Sequence, residues 1–163
     1  MEVRKIYQYA LQREYEGKRF FEQNAERLSH SAAVSAFKRL ALEEQKHIEF
    51  IQRQIDLLNK GQPQDSEMGA ELERAGFFTT RANSESIDQT VLEAMVPDLS
   101  VLRMAYLIER DFSEFYESAA NQADGEAKHV LEMLAGWERG HESFFKELHD
   151  KAFEEYAGMP WGG

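Results

Sequence analysis

No cysteine occurs among the 163 residues, which excludes disulfides, iron-sulfur clusters, thiolate zinc sites and thiol catalysis. Any metal must then be held by Glu, Asp or His. Proline is scarce at 3 and glycine at 10, so little interrupts helices, and the many Ala, Leu, Glu, Gln, Lys and Arg favour them. Positive charge is short as well. Against 30 Asp and Glu stand 19 Lys and Arg, and the net charge of −11 disfavours a nucleic acid or an anionic membrane as partner. No apolar run approaches the roughly 20 residues that span a bilayer, and Met1-Glu2-Val3-Arg4-Lys5 leads into polar residues rather than a signal-peptide core. The expectation is one soluble, cytoplasmic domain.

Apolar residues recur at helical spacing in four stretches. The stripes run from Val3 through Tyr7, Ala10 and Phe21 to Leu28, from Val34 through Phe37, Leu40 and Ile48 to Leu58, from Leu99 through Ala105 and Phe112 to Ala119, and from Val130 through Leu134 and Trp137 to Leu148. Only Ser29-His30-Ser31 separates the first two and roughly Asn121 to Gly125 the last two, so each pair predicts an antiparallel hairpin. Residues 61–97 are too many for a tight turn. They open on Gly61-Gln62-Pro63, carry a capping box Ser86-x-x-Gln89 ahead of a short helix and stop at Pro97, with Asp98 placed to cap the next helix. Such a length suits a crossover joining two parallel helices. The predicted fold is all-α, a four-helix bundle over residues 1–151, with 152–163 as a C-terminal tail beyond the last helix signal.

The two hairpins repeat one another. One constant offset carries Ala10 onto Ala105, Glu14 onto Glu109, Phe21 onto Tyr116 and Ala25 onto Ala120; another carries Leu40 onto Leu134, Glu44 onto Glu138, His47 onto His141 and Phe50 onto Phe144. Glu44-x-x-His47 and Glu138-x-x-His141 each put a carboxylate and an imidazole one turn apart on a helix face. The repeat also separates neighbours, since Glu43 maps onto Trp137 and Glu44 onto Glu138, which favours Glu44. Residues at equal height in a hairpin are equidistant from its turn, and Glu14 with Glu44 and His47 implies a turn near residue 30. Glu109 with Glu138 and His141 implies one near residue 124, where Asp124-Gly125 stands. All six groups then share one layer, about 20 Å from each turn at about 1.5 Å per residue.

Buried ionised carboxylates need compensation. Two divalent cations balance four glutamates with both imidazoles neutral, and an oxygen and imidazole donor set suits Fe(II), Mn(II) or Zn(II).

The motifs Ala10-x3-Glu14-x2-Gly17-x2-Phe20-Phe21, Leu40-Ala41-x-Glu43-Glu44-x2-His47, Ala105-x3-Glu109-x6-Tyr116 and Glu138-x2-His141 together resemble the rubrerythrin branch of the ferritin-like family. Di-iron carboxylate bundles in general draw a Glu from each of two helices and a Glu-x-x-His from each of the other two. The resemblance implies a metal site of Glu14, Glu44, His47, Glu109, Glu138 and His141 holding two iron ions, with Mn or Zn as substitutes. Glu44 and Glu109, or their repeat mates, would bridge, and each histidine would bind one ion. It further implies reduction of hydrogen peroxide or dioxygen, a homodimer, and an external electron-donor protein in place of the four-cysteine rubredoxin module that many relatives carry. Phe112 stands where many relatives have a further glutamate. Two other functions remain alternatives: a ferroxidase that binds and stores iron, and a structural bundle with a vestigial metal site. Tyr116 is either a hydrogen-bond partner of the cluster or a core residue, while Tyr7, Tyr15, Tyr106, His30, His129 and His149 are assigned no role.

Overall fold

In a computed structural model, which describes residues 2–75 and 89–160, the four stripes become four long helices. In chain order the helices are α1 (Val3–Ala25), α2 (Ser31–Asn59), α3 (Glu67–Arg74), α4 (Gln89–Ala94), α5 (Leu99–Asn121) and α6 (Gly125–Gly158), with a 3-10 turn at Val96–Asp98 before α5. No strand occurs among the described residues, and no helix among them is long and apolar enough to cross a membrane. The protein is the expected all-α, ferritin-like bundle.

Ring and charge contacts fix the helix directions. Phe21 meets Phe37 near the first turn, with ring centroids 5.5 Å apart, while Glu14 meets His47 farther up. In the second hairpin Glu117 pairs with Arg139, and Tyr106 with His149. Both hairpins are therefore antiparallel. Phe37, early in α2, shares a core cluster with Leu102, early in α5, and with Phe145, late in α6. Hence α2 and α5 run parallel, as a crossover between them requires.

The bundle has two apolar cores. One gathers Tyr7, Phe50, Ile51, Tyr116, Val130 and Leu134; the other gathers Phe21, Phe37, Leu40, Leu102, Phe145 and Leu148. The six chemistry-bearing side chains lie at heights between them.

Three features of the connections differ from expectation. Asp98 stands at the N-cap position of α5 but makes no cap bond. Its buried carboxylate instead accepts from the Ser29 backbone N–H at 3.1 Å and from the Ser29 hydroxyl at 3.2 Å, tying the first turn to the end of the crossover. The crossover, expected to hold one short helix, also holds α3, which begins at Glu67. Gly61, with φ of 67°, ends α2, and buried Gln54 exchanges hydrogen bonds of 2.6 and 2.8 Å with the Asp65 backbone, steering the chain into α3. Gly69 then lets α3 lie against α6, because a Cβ there would stand 2.9 Å from Met133 and 3.1 Å from Trp137. Finally, the boundary expected at 151 falls inside α6, which continues to Gly158 because Leu148, Ala152 and Tyr156 extend the stripe at helical spacing. Of the expected short helix, α4 is present, whereas Ser86 of its capping box lies outside the described residues.

Candidate metal centre

Glu14 on α1, Glu44 and His47 on α2, Glu109 on α5, and Glu138 and His141 on α6 are all fully buried. They form two overlapping groups whose donor atoms lie within 4.8 Å of one another: Glu14, Glu44, His47 and Glu138 in the first, and Glu44, Glu109, Glu138 and His141 in the second. All six residues selected from the repeat thus meet in one layer. Glu44 and Glu138 belong to both groups. Of the carboxylates left open as the central pair, Glu44 and its repeat mate Glu138 are the two that stand in both groups, and each reaches past the histidine of its own helix to that of the other. Nδ1 of His47 stands 2.7 Å from Oε1 of Glu138, and Nδ1 of His141 stands 3.2 Å from Oε1 of Glu44.

The contacts are those of a ligand sphere rather than a hydrogen-bond network. Nδ1 of His141 faces Glu44, Glu109 and Glu138 at 3.2 to 3.6 Å, and a single ring nitrogen satisfies at most one of them. Neither oxygen of Glu44, Glu109 or Glu138, nor Nδ1 of His141, has a hydrogen-bond partner despite full burial. Leaving that many acceptors unsatisfied is costly. A pair of cations, each gathering oxygens and one imidazole, answers the whole set, so the residues present fit a dinuclear metal group.

Electrostatics point the same way. Burial pushes the Glu14 carboxyl well above the usual range, with the charges of Glu138 and Glu44 adding to it, and burial with Glu138 does the same to Glu109. Burial works against ionisation of Glu138 and Glu44 too, yet neighbouring imidazoles and protonated carboxyls hold Glu138 well below its ordinary value and Glu44 below it. Burial opposes charge on His47 and His141 as well, but the surrounding carboxylates win and raise both well above the ordinary histidine value. Without metal, then, burial and the crowding of carboxylates favour protons on Glu14, Glu109 and both imidazoles, against Glu44 and Glu138, which are held toward the ionised form. Divalent ions would compete with those protons.

Three side chains surround the cluster. Tyr116 donates a 2.6 Å hydrogen bond to Oε1 of Glu14, so it partners the cluster while its ring belongs to the apolar core. Glu43 is fully buried, with Oε2 2.6 Å from Nε2 of His141 and Oε1 accepting from Arg39 at 3.0 Å. A proton on that nitrogen leaves Nδ1 of His141 to face Glu44, Glu109 and Glu138. Trp137 stacks on His47 with centroids 5.1 Å apart and donates a 2.8 Å hydrogen bond to Glu73 on α3. Glu43 and Trp137 are repeat mates, and each attends the histidine nearest it. The sequence reading set Glu43 aside as a ligand without finding this role; the signal was there, since both members of that repeat position directly precede a cluster glutamate. His30, by contrast, accepts from the Ala32 N–H at the start of α2, and His129 is exposed.

The sequence model of the rubrerythrin family matches residues 5–149. Neither the curated proteins nor the solved structures return a match. With a family match across both hairpins and a buried Glu and His cluster drawn from all four long helices, the chain belongs to the rubrerythrin family.

Proposed function

We propose that this chain is a non-haem di-iron oxidoreductase that reduces hydrogen peroxide, or dioxygen, with electrons from a separate donor protein. The observation that carries the reading is the pair of overlapping ligand groups sharing Glu44 and Glu138, whose four carboxylates balance two divalent cations. In this reading His47 and Glu14 would help hold one ion, His141 and Glu109 the other, and Glu44 and Glu138 would be shared between them. Iron is preferred over manganese or zinc because two ferrous ions supply the two electrons that, with two protons, convert hydrogen peroxide to two waters. The chain's own residues position and insulate. Tyr116 holds Glu14, Glu43 orients His141, and apolar clusters on both sides keep bulk water out. Nothing in this cysteine-free sequence stores further electrons at a thiolate centre, hence the external donor.

Anaerobic loading with Fe(II) followed by rapid mixing with peroxide or with air-saturated buffer tests the reading. The absorption of an oxo-bridged diferric pair should rise far faster with peroxide, at two irons per chain, and a chemical reductant should restore the starting state for further cycles. Growth of an iron mineral in a large assembly would favour the ferroxidase alternative. A loaded protein inert to peroxide would defeat the proposal.

A further inference from the structure

Gly17 lies one turn beyond Glu14 and Phe112 one turn beyond Glu109, and the offset that relates the two glutamates also relates these two residues. The repeat is broken here in a complementary way. A Cβ on Gly17 would stand 2.9 Å from Cε2 of Phe112 and 3.7 Å from Oε2 of Glu44, so the missing side chain leaves a gap that opens onto a shared ligand and the Phe112 ring closes it. On the other side of that pair is a surface cavity of about 190 Å³ lined by Arg13, Glu16, Gly17, Ile108 and Phe112. It has room for several molecules of water size, each needing on the order of 10–15 Å³. The Arg13 guanidinium lies over the Phe112 ring, 5.0 Å from its centroid, and sets a cation at the mouth.

We propose that the Gly17 gap is the port by which a small oxidant enters the metal centre from this cavity, with Phe112 as the gate that limits its size. The inference rests on the functional reading above. Here a single phenyl ring, packed against the Gly17 backbone and under the Arg13 guanidinium, stands between the cavity and the Glu44 carboxylate. Swinging a phenyl ring aside needs no backbone movement. An alkyl hydroperoxide with a bulky substituent would be refused, and hydrogen peroxide or a small anion admitted.

The test uses the full chain loaded with Co(II), whose visible absorption reports both metal uptake and binding of azide. Phe112→Ala should raise the azide on-rate at least tenfold, and Ile108→Trp, at a partly exposed position in the cavity wall, should lower it by a similar factor, with cobalt content per chain unchanged in both. With iron in place, Phe112→Ala should also narrow the preference for hydrogen peroxide over cumene hydroperoxide. Should Phe112→Ala fail to fold, Ile108→Trp still decides, because it adds bulk at the mouth from a partly exposed position in the cavity wall. Full cobalt loading with azide on-rates unmoved overturns the port alone. A wild-type chain that takes up no cobalt overturns the functional reading and the port with it.

Discussion

Glu44 and Glu138 exchange histidines: Glu138 lies 2.7 Å from Nδ1 of His47, and Glu44 lies 3.2 Å from Nδ1 of His141, across the bundle axis. Each carboxylate begins a Glu-x-x-His motif whose own imidazole is also near, at 3.6 Å in both hairpins. This crossed arrangement makes the two motifs one site instead of two.

Loss of a shared ligand should therefore cost more metal than loss of an unshared one. Glu44→Ala or Glu138→Ala is expected to abolish binding of both ions, while Glu14→Ala or Glu109→Ala should retain about one ion per chain. Metal analysis after desalting, with far-UV circular dichroism to confirm retained helix, reads the difference. Equal losses from all four variants would contradict the sharing.

Glu43→Gln keeps the ligands but weakens the partner that orients His141. Metal affinity should fall roughly 10- to 100-fold, as for other carboxylates behind a ligating histidine. Competition against a calibrated chelator measures it, and unchanged affinity would reduce Glu43 to a packing residue.

Metal loading should release protons near neutral pH, because Glu14, Glu109 and both imidazoles are all shifted toward holding them. The same shifts set how stability moves with pH. For Glu14 and Glu109, raised above 4.5, and for His47 and His141, raised above 6.5, the native metal-free state holds protons that the unfolded chain has lost, so their contribution falls as pH rises past those values. Glu44 and Glu138, lowered from 4.5, contribute stability above that value and lose it only on acidification. From about pH 6 to about pH 8.5 the metal-free melting temperature should drop and the gap to the loaded protein should widen. A gap that narrows over this range would argue against protons and metal sharing the cluster.

Asp98→Ala separates stability from metal binding. It removes the charged acceptor from two Ser29 donors and should cost about 2–3 kcal/mol while leaving metal content intact. Urea unfolding of the loaded and metal-free forms would show a similar loss in both.

Periodicity and the internal repeat made the four helices, the hairpin turns, Glu44 over Glu43 as the member of the ligand groups, and the common height of six side chains readable from residue order. Those are local or one-dimensional properties, since helical pitch and distance from a turn follow from residue number alone. The crossed pairing of Glu44 and Glu138, the buried bond between Glu43 and His141, the turn from Asp98 to Ser29, and the Gly17 gap against Phe112 became definite only when the hairpins packed together. Each depends on how one helix is rotated and set against another, which is decided by the summed packing of two aromatic and aliphatic cores. No single residue's neighbours in the chain encode that sum.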